Sequence, residues 1–370
     1  MKVIIAAAGT AGHINPGLSI ANKIKEEEPN SEIIFIGTDR GLEKDLVPRA
    51  GYELKTIDAY GLNFKRPDRL LKTLKGFFKA KKIIKEFNPD VVIGTGGYIC
   101  GAVITEASKL GIPTLLHESN AFPGKAVKML AKRTDCILVG FNETKERLNN
   151  AKNVVVTGNP TKIKDLNLSK AKKEKIIKDF GLDITKPILL VFGGSQGARA
   201  INNAVIKIVK SKTNENYQII WAPGPVQYDI IKEELNNNSI DIENIENIKV
   251  FPYIYNMEEI MNISDLLICR SGAMTVNEVS IVGKPAIFIP LPGVSQNHQE
   301  YNAKVLEKIG AAKIVHNEDL ETIDLNKYIE DLIYNKELLK QMGEKAKTVS
   351  NHNVIETIYK EIKNTILHKC

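Results

Sequence analysis

At 370 residues the chain exceeds one typical domain and has the length of two or three. Hydrophobic residues at 43% and charged residues at 26% exclude wholesale disorder, and a net charge of +7 is too mild to name a partner by itself. No run approaches the ~18 apolar residues of a membrane-spanning helix. Cys100, Cys136, Cys269 and Cys370 make no C-x-x-C pair and have no histidine at ligand spacing, so neither a disulfide framework nor a metal site is expected, and a reducing cytoplasm fits.

From the start, Lys2 and Val3–Ala8 imitate a short signal sequence, but no second positive charge precedes the run, and a glycine turn and His13 follow at once. The segment reads as a first buried strand. Strand-like runs continue at Ile33–Ile36, Val91–Ile93, Thr114–Leu116, Cys136–Val139 and Val154–Thr157. After a Gly158-Asn159-Pro160 turn and a Lys-rich stretch, a helix is expected from about Ser169 to Phe180, stopped by Gly181. A second set of runs follows at Ile188–Phe192, Gln218–Trp221, Ile248–Phe251, Leu266–Cys269, Ala286–Ile289 and Lys313–Val315. Runs this short and without alternation suit strands buried on both faces, hence α/β domains with doubly wound parallel sheets. Ile355, Ile358, Ile362 and Ile366 at helical spacing make an amphipathic terminal helix. The expected division is residues 1–160, residues 161–349, and a helix in 350–370 that packs back on the first domain.

Three glycine-rich loops each follow a strand: Gly9 to Gly12, Gly94 to Gly97, and Gly193 to Gly197. Together they favour an anionic ligand, because glycine lets the backbone approach it and the next helix offers unpaired N–H groups. None is a P-loop, and Ala11 breaks the dinucleotide spacing, so Asp39 as a ribose-binding acid is a weak signal. Thr275 and Glu278 have the spacing of a capping box, which is the bland account of the Ser271–Glu278 segment; the alternative puts a diphosphate at this helix start and Glu278 on ribose hydroxyls. His117-Glu118-Ser119-Asn120 and Gln296-Asn297-His298-Gln299 follow strands, where parallel sheets bind ligands, but loop polarity alone explains either one.

Between Lys65 and Lys85 nine Lys or Arg (65, 66, 69, 72, 75, 79, 81, 82 and 85) face one acid, Asp68, with Leu70, Leu71, Leu74, Phe77 and Phe78 interleaved. Such a helix lies on an anionic membrane or packs its apolar side inward under a solvated basic face. No nucleic-acid-binding signature accompanies the charge, so no nucleic acid is expected as a partner.

Gly9-Thr10-Ala11-Gly12-His13-Ile14-Asn15-Pro16-Gly17-Leu18, Gly96-Gly97-Tyr98, His117-Glu118-Ser119-Asn120, Gly193-Gly194-Ser195-Gln196-Gly197-Ala198 and Arg270-Ser271-Gly272-Ala273 occur in this order. The chain, from Val3 to about Val315, resembles the MurG family of bacterial transferases. These enzymes add N-acetylglucosamine to undecaprenyl-diphospho-N-acetylmuramoyl-pentapeptide (lipid I), giving lipid II for peptidoglycan. The resemblance implies a GT-B fold of two Rossmann-like domains with a cleft between them. It implies UDP-N-acetylglucosamine and lipid I as partners, no cofactor, and a peripheral place on the cytoplasmic face of the cell membrane.

Residue by residue, the resemblance puts Ser195 on the diphosphate, the Ile254 backbone on uracil, and Gln299 and Asn120 on the sugar. Ala273, Met274, Thr275, Val276, Asn277 and Glu278 would hold phosphate and ribose, with Thr10, Ala11, Gly12 and Lys162 also at the donor. Gly9, Gly96, Gly97 and Tyr98 would face the acceptor's diphosphate and sugar, and Lys72, Lys75, Phe77, Phe78 and Lys79 the membrane. Three positions depart from the family pattern: Ala11 for a common glycine, Ser119 for a frequent glutamine, and Lys162 for an arginine whose planar fork lysine lacks.

An inverting transfer to the acceptor's C4 hydroxyl needs a general base and stabilisation of the departing UDP. His13 is the expected base, since imidazole accepts protons near neutral pH; Glu118 is its rival or orients it. Two other readings stay open: a soluble sugar transferase or UDP-N-acetylglucosamine 2-epimerase of the same fold, and a non-catalytic nucleotide-sugar-binding protein.

Overall fold

The computed structural model describes residues 1–60, 67–194, 197–351 and 353–368, the stretch 67–71 by its backbone alone. It divides into two compact units, Met1–Thr161 with Asn351–Cys370, and Lys162–Ser350.

In the first unit β1 (Lys2–Ala7), β2 (Glu32–Gly37), β3 (Glu53–Thr56), β4 (Val91–Gly96), β5 (Thr114–Glu118), β6 (Cys136–Val139) and β7 (Val154–Val156) form one parallel sheet in the order β3-β2-β1-β4-β5-β6-β7. Helices cover both faces. Val3, Ile5 and Ala7 enter one apolar core and Ile4 and Ala6 the other, so β1 is buried on both sides and shows no alternation. The second unit repeats the plan with β8 (Ile188–Phe192), β9 (Gln218–Ala222), β10 (Ile248–Val250), β11 (Leu266–Cys269), β12 (Ala286–Phe288) and β13 (Ala312–Ile314), all parallel, ordered β10-β9-β8-β11-β12-β13. These are the two doubly wound sheets that the apolar runs predict.

Strand β3 escaped the sequence reading. It is an edge strand of sequence Glu-Leu-Lys-Thr with no fully buried residue, so it lacks the apolar run that marks its neighbours. The helix Lys170–Asp179 starts with Ser169 as N-cap, its side chain accepting from the Lys172 N–H at 3.3 Å, and ends before Gly181 at φ +64°.

The terminal helix Val354–Leu367 buries Val354, Ile358 and Ile362 in the core that holds Ile20 and Ile24 of the Ala11–Glu27 helix. Glu28, just past that helix, accepts from Lys363 Nζ at 2.7 Å and Tyr359 Oη at 3.0 Å. The Lys363 ammonium foremost, against the opposing effect of burial, holds the Glu28 carboxyl at about 2. A folded-state value below the ordinary one gives stability that is present above the unfolded value and lost as pH falls through the folded one. Glu28→Gln is therefore expected to destabilise this unit by about 1–2 kcal/mol at neutral pH, with the difference from wild type closing between pH 4.5 and 2 in urea unfolding curves.

Candidate active site

Each sheet reverses its strand order once, at β1/β4 and at β8/β11, and ligands of doubly wound sheets bind beyond the carboxyl ends of strands at such points. The glycine loops lie there. Gly9 and Thr10 follow β1, Gly97 and Tyr98 follow β4, and Gly193 and Gly194 follow β8. Ala6 pairs with Gly94 but Ala7 with Gly96, so Thr95 is an extra residue in β4. Its buried hydroxyl donates to the His13 carbonyl at 2.8 Å, tying the end of β4 to the first turn of the Ala11–Glu27 helix.

His13, half-buried, places Nδ1 3.0 Å from the Ala8 carbonyl. A carbonyl oxygen only accepts, so Nδ1 carries the proton and Nε2 of the neutral ring presents a lone pair. Gly96 lies against the ring: at φ +136° its backbone is one that side chains rarely adopt, and a Cβ there would meet His13 Cδ2 at 2.3 Å. Tyr98 is exposed beside it.

Glu43, which the sequence reading did not single out, supports this loop. Its buried carboxylate accepts from the N–H of Gly9 at 2.9 Å, the N–H of Thr38 at 2.9 Å and the Thr38 hydroxyl at 2.6 Å. Burial pushes the Glu43 carboxyl up, but these donors, the Thr38 hydroxyl first, outweigh it and hold it below the usual carboxylate range. Nothing in the local pattern around Gly41-Leu42-Glu43 marks this role.

Glu118 ends β5, buried, and both its oxygens serve its own loop. Oε1 accepts from the backbone and side-chain amides of Asn120 at 2.9 and 3.1 Å, and Oε2 from the Gly124 N–H at 2.7 Å. Asn120 is thereby held in place at the strand end. His117 is buried within the sheet: Nε2 donates to the Gly158 carbonyl at 3.3 Å and Nδ1 accepts from the Ser119 hydroxyl at 3.4 Å. Burial pushes its imidazole down to about 4, opposed by the Gly158 bond. The unfolded chain therefore binds the extra proton first, and stability falls as pH drops from about 6.5 to about 4. We expect this residue to cost the wild type about 3 kcal/mol over that window and His117→Gln to flatten the slope, read from urea midpoints at successive pH values.

In the second unit the helix Ala273–Val282 follows β11, with Gly272 as N-cap at φ −59° and ψ 146° and no capping side chain. This corrects the capping-box reading, since Thr275 sits three residues inside the cap position. The first N–H to bond within the helix is that of Val276, to the Gly272 carbonyl at 3.0 Å. The amides of Ala273, Met274 and Thr275 thus head the helix without an intrahelical acceptor, next to the loop after β8. In that loop Gly197, at φ +74°, passes so close to the next strand end that a Cβ would meet the Pro223 carbonyl at 2.1 Å. Ser195 lies outside the described residues.

Asn277 is buried and Glu278 half-buried on the same helix. Gln299 is brought to its start: the Ser271 hydroxyl donates to the Gln299 carbonyl at 2.8 Å, and Gln299 Oε1 accepts from the Leu291 N–H at 2.9 Å. Gln296 (φ +59°) and Asn297 (φ +50°) before it are both left-handed, a strained pair for non-glycine residues. Arg270 underpins the same loop by donating to the carbonyls of Ile289 and Pro290 at 3.0 and 3.1 Å. Ile254 is buried after β10, between the exposed Tyr253 and Tyr255, and Lys162 is exposed at the start of the unit.

The helix Pro67–Phe87 divides its aromatic pair. Phe77 packs against the core of the first unit, whereas Phe78 is 75% and Leu74 50% exposed among the exposed Lys72, Lys75 and Lys79. Lys65 and Arg66 lie outside the described residues. Among the described residues no helix is long and apolar enough to cross a membrane, and no cluster of metal-ligating side chains occurs.

Residues 3–139 match the glycosyltransferase family 28 N-terminal domain and residues 188–358 the family 28 C-terminal domain. A relative from Thermoanaerobacter sp. (strain X514) is 42% identical over 98% of this chain and 100% of its own; it is named UDP-N-acetylglucosamine--N-acetylmuramyl-(pentapeptide) pyrophosphoryl-undecaprenol N-acetylglucosamine transferase. The crystal structure of Acinetobacter baumannii MurG is similar at a TM-score of 0.78 and 28% identity, over 98% of this chain and 99% of that one. A structure of a UDP-N-acetylglucosamine 2-epimerase from Listeria monocytogenes, described in its own report as putative, shares the fold at a TM-score of 0.68 but only 17% identity, over 100% of this chain and 97% of that one. With both halves matched and the likeness running end to end, the chain belongs to the MurG transferases of glycosyltransferase family 28, hexosyltransferases of GT-B fold.

Proposed function

We propose that this protein transfers N-acetylglucosamine from UDP-N-acetylglucosamine to the C4 hydroxyl of lipid I, with inversion, giving lipid II for peptidoglycan synthesis. The observation that carries the reading is the end-to-end likeness, at 42% identity, to transferases named for this donor and acceptor. The sheet-end loops supply chemistry that suits it. The acceptor oxygen forms a bond to the anomeric carbon as the bond from that carbon to UDP breaks, and the hydroxyl proton passes to His13 Nε2. Glu118, with both oxygens turned to its loop, positions Asn120 rather than taking the proton.

UDP leaves with growing negative charge, and the leading amides of Ala273, Met274 and Thr275 offer it fixed donors at a positive helix end. Ser195 and the Ile254 backbone complete the diphosphate and uracil contacts, Val276, Asn277 and Glu278 the ribose side, and Gln299 and Asn120 the sugar; Lys162 adds a single point charge where the family pattern has the fork of an arginine. In the first unit Gly9, Gly96, Gly97 and Tyr98 receive the acceptor, and Thr10, Ala11 and Gly12 border the donor sugar. The chemistry calls for no metal or cofactor.

The test follows UDP release from UDP-N-acetylglucosamine by the purified protein, with and without a short-chain lipid I analogue. Release that requires the analogue and forms the disaccharide supports the transfer. Release without acceptor points to a hydrolysing epimerase, and nucleotide binding with no release points to a binding protein; either outcome overturns it.

We further place the protein at the cytoplasmic face of the membrane, held by Lys72, Lys75, Phe77, Phe78 and Lys79. Phe78 with Leu74 offers the apolar contact, Phe77 anchors the helix from below, and each lysine near an anionic surface contributes about 1 kcal/mol. Charge reversal at Lys72, Lys75 and Lys79 is expected to lower binding to anionic liposomes at least tenfold while leaving UDP affinity unchanged, measured by co-sedimentation and calorimetry.

A further inference from the structure

The second unit carries a cavity of about 770 Å³ at the end of its sheet opposite the glycine loops. Pro187, Asp265 and Pro285, which immediately precede β8, β11 and β12, line its floor. Six lysines also line it: Lys173, Lys186, Lys284, Lys336, Lys340 and Lys347. Three carboxylates face them, and each has another use. Asp165 pairs with Lys347, Glu344 with Lys340 at 4.0 Å, and Asp265 accepts the Ile188 N–H at 2.8 Å. Six cations against three anions leave the lining with three positive charges.

Lys284 is the centre of this arrangement. Its half-buried ammonium donates to the carbonyls of Asn262 and Ser264 at 2.9 and 2.7 Å, closing the end of the Met257–Ile263 helix. No carboxylate among the described residues makes an ion pair with it. Burial pushes the Lys284 ammonium down to about 8, and the charge of Lys173 acts the same way, with Asp265 and Asp165 opposing. A structural helix cap explains Lys284, Asp165 accounts for Lys347, and Lys186 donates to the Glu215 carbonyl at 2.9 Å. None of these explains why Lys173 and Lys336 converge on the same cavity, where like charges repel.

We propose that this cavity is a second binding site, separate from the sheet-end loops, for a small ligand bearing a di- or triphosphate group. The volume falls in the range of sites that enclose a nucleotide-sized molecule. Two or three anionic charges match the excess of the lining, and an anion beside Lys284 reverses the repulsion that Lys173 imposes. Lysines are point donors that suit phosphate oxygens of varied geometry.

The experiment titrates inorganic triphosphate into the full-length protein by calorimetry, without UDP and with one equivalent of UDP per chain, so that the sheet-end loops are occupied and no excess diphosphate competes for the cavity. One site per chain is expected to remain, and Lys173→Glu with Lys336→Glu is expected to weaken it at least tenfold with UDP affinity unchanged. Because both lysines lie at the cavity's rim on helices or their ends, a second pair, Lys186→Glu with Lys340→Glu, is measured beside the first. Absence of the UDP-independent site, or full affinity in both pairs, overturns the proposal. Vesicles of diacylglycerol diphosphate in phosphatidylcholine form a second arm. Displacement of triphosphate by them assigns the site to a lipid headgroup, and failure to displace assigns it to a soluble phosphorylated compound. Neither readout depends on transferase activity, so the proposal stands or falls apart from the reading of the glycine loops.

Discussion

Replacing His13 by Ala is expected to lower kcat by about a hundred- to ten-thousand-fold, the usual contribution of a placed general base, while donor affinity stays near wild type. The geometry argues for a loss in turnover rather than binding. Nδ1 is committed to the Ala8 carbonyl at 3.0 Å, and the ring rests against Gly96, so Nε2 is the nitrogen left to take a proton. Glu118→Gln separates the two candidates. An amide still accepts from one of Asn120 or Gly124, but one loop bond is lost, so its cost should fall on the KM for the sugar nucleotide. A Glu118→Gln variant with a His13-like fall in kcat, beside a nearly active His13→Ala, would exchange the two roles. Steady-state kinetics with a soluble lipid I analogue, together with UDP titration, distinguishes these results.

Gly96→Ala is expected to remove activity at least as completely, for a different reason. The backbone at φ +136° is strained for any residue with a Cβ, and the added carbon would lie 2.3 Å from His13 Cδ2. Relief requires the imidazole to turn, which breaks the Nδ1 bond and misplaces Nε2. A fall in kcat of more than a hundredfold should accompany a loss of about 2–4 kcal/mol of stability. Urea unfolding and kinetics on the same preparation check both. Wild-type turnover in this variant would mean that the ring position does not matter to the reaction.

Much of the fold is legible in the chain because strands buried on both faces must be continuously apolar. Val3–Ala7 and Ile188–Phe192 announce themselves this way, and each is followed by the glycines that a sheet-end loop needs. Glu53–Thr56 does not, since an edge strand with half-exposed side chains carries no such demand. The apolar residues between Lys65 and Lys85 show the limit of periodicity. Adjacent Phe77 and Phe78 read alike, yet one enters the core and the other faces solvent, because only the packing of the helix sets its rotation.

The candidate site divides along the same line. Its motifs stand in the sequence, and their order marks the family. Their roles depend on partners distant in the chain. Glu43 reaches Gly9, Thr95 reaches the His13 carbonyl, and the Ser271 hydroxyl reaches Gln299, in each case across neighbouring elements. Spacing suggested Thr275 and Glu278 as a capping box, but the helix begins at Ala273 with Gly272 as its cap, leaving three leading amides for a ligand.

By itself, then, the sequence determined the two doubly wound sheets, their glycine loops and the family, because local runs and turns of fixed composition specify each of these. Only the tertiary structure decided which nitrogen of His13 is available, that both Glu118 oxygens serve their own loop, and that Glu43 holds the first glycine turn. Those are hydrogen-bond assignments, and a donor finds its acceptor only once the strands have brought their ends together.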